Sequence, residues 1–336
     1  MIITRTPFRV PFGGGGTDLP GFYKKHGGFI FSATIDKYMY IAVNHRIMDR
    51  LIMIKYFNAE TAKTLNEIKH DRAREALRHM GIENCIEITS TADLASGTGM
   101  GSSLSYLVGL LKGLHALKRE EINMQELAEE ATHIEMDILK SPAGLQDQYL
   151  AAFGGFVEMD ISKDGKVTVK RPKISQDTVE ELEYKVNFYF TNKFHDSHNM
   201  LSEQHNKIVT EAGAERAMLN IKEIGMQIKT EVEKGDLANF GKLLHQHWEE
   251  KKKISNKMSD TELDEIYELA LKNGAAGGKI MGSGGGGLFM FFAPDAAAKK
   301  KLKTAMVGRG LKEMNYNFDF EGAKILLNIF QRSNDL

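Results

Sequence analysis

Three carboxylates, two arginines and three glycine-rich stretches are the parts of this sequence whose residue types and spacing could do chemistry. The clearest is ASGTGMGSSLSYLVGLLKGL, residues 95–114, which brings Gly97, Gly99 and Gly101 to the foot of a helix opened by Ser102 and Ser103. Glycines without a Cβ let backbone N–H groups close around an anion. A helix start adds unpaired N–H donors and the positive end of the dipole. Gly97, Gly99, Met100, Gly101, Ser102 and Ser103 therefore make a phosphate cradle. It is not a Walker A loop, because the lysine of G-x-x-x-x-G-K-[ST] is missing. The same residues would also form a glycine-rich turn with a serine N-cap and no ligand.

The stretch RTPFRVPFGGGGTDLPG, residues 5–21, mixes four consecutive glycines with Arg5, Arg9, Thr17 and Asp18. Arginine is a fixed cation for phosphate, and aspartate is an acceptor for hydroxyls. A surface ion pair beside a flexible loop is the plainer account of the same residues. In GGKIMGSGGGGLFMFFA, residues 277–293, Gly282, Gly284 and Gly287 match G-x-G-x-x-G. A dinucleotide fingerprint must open a helix, whereas the β-type run LFMFF follows here, so that reading fails. These glycines instead let one backbone approach a ligand or another strand, or simply make tight turns. Lastly, HIEMDILKSPAGLQDQYLAAFGG, residues 133–155, carries Glu135 near a helix end and Asp147 after a Pro-Ala-Gly break. Carboxylates beside a phosphate cradle suit magnesium ligation and proton abstraction, although most single carboxylates are solvated surface groups.

Other motifs have plainer readings. HWEEKKK places His247, Trp248 and the following lysines on a helix, where a solvated face with a half-buried Trp is expected. His195 and His198 are three apart without further ligands, which argues against zinc. Lys299, Lys300, Lys301 and Lys303 read as a solvated helix face, and the 17 methionines as core filler.

The elements that must position these groups are interleaved strands and helices. Phe29–Phe31, Tyr38–Val43, Leu51–Phe57 and Ile86–Thr89 read as strands. Residues 66–80 and Met124–Ile138 read as helices. From Ser103 onward Leu104, Leu107, Val108, Leu111 and Leu114 form one helical stripe. Asp164-Gly165 marks a hairpin. YKVNFYFT, long helices to about residue 272, LFMFFA, an Ala/Lys-rich helix and KILLNIF follow. The pattern lacks βαβ regularity, so an α+β protein in two halves is expected, residues 1–175 and 176–336.

Composition narrows the classes. The 336 residues carry 44 basic and 45 acidic side chains, a net charge of -1, so no bulk basic field points to nucleic acid or an anionic membrane. Purely apolar stretches are too short to span a bilayer, and the N-terminal residues lack the pattern of a signal peptide. The lone cysteine, Cys85, fits a reducing cytoplasm, which is the expected location.

Taken in order, these motifs resemble those of the GHMP kinases, the superfamily of galactokinase, homoserine kinase, mevalonate kinase and phosphomevalonate kinase. TPFRVPFGGGGTD resembles the first motif, with Arg9 where galactokinases place an active-site arginine. SGTGMGSS resembles the second, with Ser96 for the usual proline and Met100 for the usual leucine. KIMGSGGGG resembles the third, and GLQDQY the segment around the galactokinase catalytic aspartate. The resemblance implies a two-domain α+β fold, with an N-terminal half like ribosomal protein S5 domain 2 and a ferredoxin-like C-terminal half. It implies ATP and Mg²⁺, with Asp147 and Arg9 catalytic and Ser103 and Glu135 on the metal. Gly15, Gly16, Thr17 and Asp18 would hold the sugar, beside a wall of Gly282, Ser283, Gly284 and Gly285.

FGGGGTDLPGFY, FIFSATIDKYMY and HQHWEEKKKIS are similar to stretches of the D-glycero-D-manno-heptose 7-phosphate kinases and related sugar-1-kinases. The chain departs from them at TNKFHDS, residues 191–197, where those enzymes often carry threonine-glycine followed by arginine. A sugar or sugar phosphate is the implied partner, with a monomer or homodimer as the assembly. Lys24, Lys25, His195, His198 and Lys252 are the implied candidates for a phosphate on the sugar. Another GHMP kinase activity, or a silent sugar- and ATP-binding sensor, remains an alternative.

Overall fold

The computed structural model describes residues 1–194, 197–255 and 257–329, with only the backbone described at Ser197 and His198. Strands β1 (Ile2–Gly13) and β2 (Gly28–His45) run antiparallel through the centre of the larger sheet. The short strands β3 (Ile52–Lys55) and β4 (Ala59–Ala62) form a hairpin, and β3 lies parallel to β5 (Ile86–Ala92), which pairs with β2. The strand expected over Leu51–Phe57 stops early because the chain turns at Asn58, where Tyr56 N donates to Asn58 O (2.8 Å). The start of β2 pairs with β6 (Val157–Ile161), which returns as β7 (Val167–Lys170) through the expected Asp164-Gly165 turn. Gly165 there has φ 89°, a conformation that favours glycine.

The second sheet contains β8 (Val186–Phe190), β9 (Gly277–Ile280), β10 (Leu288–Phe292) and β11 (Lys312–Met314). Its order β11-β8-β10-β9, all antiparallel, is the expected ferredoxin-like arrangement. Two last strands, β12 (Phe318–Asp319) and β13 (Lys324–Asn328), then pair with β2 and β1 of the first sheet. A division at residue 175 therefore marks where the second sheet's segment begins, but β12 and β13 belong to the first sheet. The core is shared as well. Phe240 lies 5.7 Å from Phe12 of β1 and 5.2 Å from Phe292 of β10, ring centre to ring centre, so one apolar cluster spans both sheets.

The helix Ser102–Lys118 carries the expected stripe, and Leu104, Leu107, Val108, Leu111 and Leu114 are all buried. Two glycines set how closely it docks. A Cβ at Gly109 would come 2.6 Å from Thr6 Oγ1, and one at Gly113 would come 3.1 Å from Val43. Thr4 Oγ1 donates to Gly109 O (2.8 Å) and Ser105 Oγ to Pro7 O (3.1 Å), pinning the helix along β1. Its N-terminus is thereby aimed at the end of β1 that carries Arg9.

The glycine run after β1 has a similar reason. The long helix Ala212–Lys234 crosses there, and a Cβ on Gly13 would lie 2.5 Å from Gly225 Cα. A Cβ on Gly225 would in turn meet Gly14 N at 2.6 Å. Alanine is intrinsically the better helix former by about 1 kcal/mol, but overpacking against fixed backbone costs about 1–3 kcal/mol. Gly225→Ala should therefore lower the urea midpoint at unchanged m-value; a raised midpoint would mean that the crossing has room to spare.

Candidate active site

The 97–103 loop is built as a cradle. Gly97, Gly99 and Gly101 all sit at φ near +80° (80°, 80° and 79°), where a side chain would be strained. Gly101 is the N-cap of the helix and no side chain caps it, so the first-turn N–H groups stay free for a ligand. Arg9 N donates to Met100 O (3.3 Å), tying the loop to β1.

The third glycine cluster buttresses this loop from behind. A Cβ on Gly99 would lie 2.6 Å from Met281 O, and one on Gly287 would lie 2.5 Å from Thr98 O. Leu288 N donates to Thr98 O (3.3 Å). Gly282 and Ser283 line the cavity as expected, but Gly284 and Gly285 do not. Gly284 packs against Met258, whose carbonyl accepts from Gly285 N (3.0 Å), and both glycines take positive φ (95° and 75°), so a tight turn and not a substrate wall accounts for them.

In front of the loop stand the acidic groups. Arg9 Nε donates to Asp147 Oδ1 (2.7 Å) and Nη2 to Oδ2 (3.1 Å), a two-pronged pair, while Nη1 reaches the Gly99 carbonyl. Any side chain at Gly101 would come 3.0 Å from Asp147 Oδ2, so this carboxylate sits directly at the helix start. Asp18 faces it from the other side. Its carboxylate accepts from Gly16 N (3.1 Å) and Gln146 N (3.1 Å), and a Cβ on Gly144 would collide with it. Burial, then the charge of Asp147, raises the Asp18 pKa, with the backbone donors opposing.

Glu135 lies on a π-helical turn, His133–Ile138, that continues the helix Met124–Thr132. Such turns recur at functional sites because they re-aim a side chain. Arg72 Nη2 holds Oε1 of Glu135 (2.6 Å), while Oε2 is buried without a hydrogen-bond partner among the described residues. Glu135 and Ser103 line one cavity, so an unused carboxylate oxygen and a hydroxyl face the space beside the cradle. That donor set fits a hard divalent cation such as Mg²⁺.

All these groups line a single cavity of about 520 Å³, within the range of small-molecule sites. Family models agree with the geometry. Residues 66–155 match the GHMP kinases N terminal domain and residues 228–312 the GHMP kinases C terminal. The chain is 31% identical to D-glycero-alpha-D-manno-heptose 7-phosphate kinase of Campylobacter jejuni, covering 96% of this chain and 97% of that one. The chain belongs to the GHMP kinases.

It is also 24% identical to the galactokinase of Pyrococcus furiosus over 84% of this chain and 86% of that one. Among solved structures, a D-glycero-D-manno-heptose 1-phosphate kinase from Bacteroides thetaiotaomicron superposes with a TM-score of 0.80 at 25% identity. That match covers 98% of this chain and 100% of the other. As a GHMP kinase the chain is a phosphotransferase, and no helix among its described residues is long and apolar enough to cross a membrane.

Two expectations about this kinase change. Thr17 does not reach the cavity. It is fully buried, and its hydroxyl donates to Phe29 O (2.7 Å) and accepts from Phe29 N (3.0 Å), which locks the glycine loop to β2. The helix Phe240–Lys252 is not a solvated face. Trp248 is completely buried, and His247 and Lys251, one turn apart, line the cavity with Lys279 of β9. Periodicity could not reveal this, because a buried lysine reads as a surface residue in any pattern.

The implied phosphate ligands also lie elsewhere. Lys24 is exposed, Lys25 faces Glu215, and Lys252 pairs with Glu249 (2.8 Å), all away from the cavity. His195 and the side chain of His198 lie outside the described residues. Arg72, unmarked by any motif, is the further addition.

Burial, followed by repulsion from Arg9, pushes the Lys251 ammonium down to about 8, with Asp18 opposing. The unfolded chain keeps that proton to about 10.4, so between these values it binds more protons than the folded protein and stability rises with pH. Wild type should therefore gain on Lys251→Met by about 2–3 kcal/mol between pH 7 and pH 10, read by urea unfolding. A constant difference across that range would remove the buried-cation picture. Thr17→Val should lower unfolding free energy by about 1–3 kcal/mol and leave the KM for sugar in place. A raised KM at unchanged stability would return Thr17 to the substrate.

Proposed function

We propose that this kinase transfers the γ-phosphoryl group of ATP to the anomeric hydroxyl of a sugar phosphate, D-glycero-D-manno-heptose 7-phosphate, giving the 1,7-bisphosphate. The observation that carries this reading is the Arg9–Asp147 pair standing at the open N-terminus of the helix Ser102–Lys118. It puts a proton acceptor next to a triphosphate cradle, as in-line phosphoryl transfer requires. The name of the heptose 7-phosphate kinase that matches 96% of this chain supports the sugar and its 7-phosphate, and the heptose 1-phosphate kinase of known structure supports the heptose alone. A sensor would have no use for Arg9, Glu135 and Asp147 gathered around one cavity.

Backbone N–H groups from Gly97 to Ser103 hold the triphosphate. Asp18 accepts a hydrogen bond from a sugar hydroxyl and, with Gly15 and Gly16, sets the ring's orientation. Asp147 takes the proton of the attacking hydroxyl as its oxygen bonds to the γ-phosphorus and the bond to the β,γ-bridging oxygen breaks. ADP leaves with that electron pair, and Asp147 returns the proton to solvent. Arg9 holds both oxygens of Asp147 in place and adds positive charge beside the transferring group. Ser103 and Glu135 would hold Mg²⁺, which when bound neutralises charge on the phosphate oxygens, and Arg72 orients Glu135 for that task.

General-base catalysis is worth about 10²–10⁴ in rate. Asp147→Asn should therefore lower kcat by that factor while ATP binding, read by calorimetry, stays within about twofold of wild type. Wild-type turnover in the variant would take the base role away from Asp147.

A further inference from the structure

Resting on the reading that the acceptor is already phosphorylated, we propose that Lys251, Lys279 and His247 form the subsite that binds the phosphate group the sugar brings with it. The three side chains are 5%, 2% and 1% exposed, yet all line the cavity. Lys251 and His247 come from one face of the helix Phe240–Lys252, and Lys279 from β9 beside it.

These cations are poorly satisfied. Lys251 Nζ donates to the Gly282 carbonyl and Lys279 Nζ to Phe12 O (3.0 Å). An ammonium has three donors and each of these two lysines makes one hydrogen bond among the described residues, which leaves donors to spare at the cavity wall. Among the described residues neither ring nitrogen of His247 has a hydrogen-bond partner, and neither lysine is ion-paired to a carboxylate. Buried charge without a partner is strongly unfavourable. Burial and the charges of Lys251 and Arg9 hold the Lys279 pKa well below its ordinary value, which marks a place where positive charge is crowded. An anion with several acceptor oxygens relieves this crowding.

Position selects the molecule that brings the anion. The donor's phosphates belong along Gly97–Ser103, toward Glu135 and Arg72. The charges that act on Lys251 are those of Arg9, which grips Asp147, and of Asp18, the carboxylate read as holding the acceptor. A phosphate monoester, with close to two negative charges and three acceptor oxygens, matches two ammonium groups and an imidazole N–H. This assigns to a buried floor the role that Lys24, Lys25 and Lys252, which do not line the cavity, leave open.

The test compares wild type with Lys251→Met and His247→Leu by coupled ADP release. Acceptors are D-glycero-D-manno-heptose 7-phosphate and the same heptose without its phosphate. Wild type should prefer the phosphorylated sugar. Lys251→Met should raise the KM for the sugar phosphate about 10- to 100-fold, leave the KM for ATP unchanged and erase the preference. His247→Leu should act in the same direction more weakly. Independently, with the cradle saturated by a non-hydrolysable ATP analogue, millimolar inorganic phosphate should raise the Tm of wild type and fail to raise that of Lys251→Met, a comparison that holds even if turnover is lost. A rise in the KM for ATP would assign the cluster to the donor and overturn the proposal, as would an unchanged preference. Should wild type act only on the unphosphorylated heptose, the reading of the acceptor itself falls, and the subsite with it.

Discussion

One guanidinium joins the parts of this kinase that chemistry requires to be together. Arg9 extends from the central strand, grips both oxygens of Asp147 and touches the Gly99 carbonyl of the cradle. Three pieces of chain that are remote in sequence thus meet at one planar cation. The fork geometry of arginine makes this a fixed arrangement where lysine would offer a single mobile charge. Everything around it serves to keep that meeting point in register. Gly109 and Gly113 let the cradle's helix lie close on β1, Gly13 and Gly225 let a second helix cross β1, and Thr17 latches the loop between.

Much of this was legible in the sequence for a physical reason. A backbone that must approach another backbone can carry only glycine, so close approaches leave visible clusters. The cradle, the hairpin at Asp164-Gly165 and the β-type run after Gly287 were all readable in this way. So were Asp147 and Glu135, because the resemblance placed them against a phosphate site.

What stayed hidden is equally instructive. Thr17 stands next to Asp18, yet β2 takes one side chain for structure and leaves the other on the cavity wall, and adjacency cannot say which. Lys251 and His247 lie in a charged run that any hydrophobicity pattern assigns to solvent. Their burial arises from how the helix Phe240–Lys252 packs between two sheets, a property of tertiary contacts alone. The return of β12 and β13 to the first sheet is likewise invisible locally, since strand pairing over such separations carries no sequence period.

That return also bears on how the molecule is made. During synthesis β1 emerges long before its outer neighbour β13, which must wait for every strand and helix between them. Until then one edge of the central strand has open N–H and C=O groups, the kind of surface that recruits stray strands from other molecules. Closure of the first sheet therefore waits until β13 has been translated, and a nascent chain released before then would carry the cradle and Asp147 together with an unprotected edge.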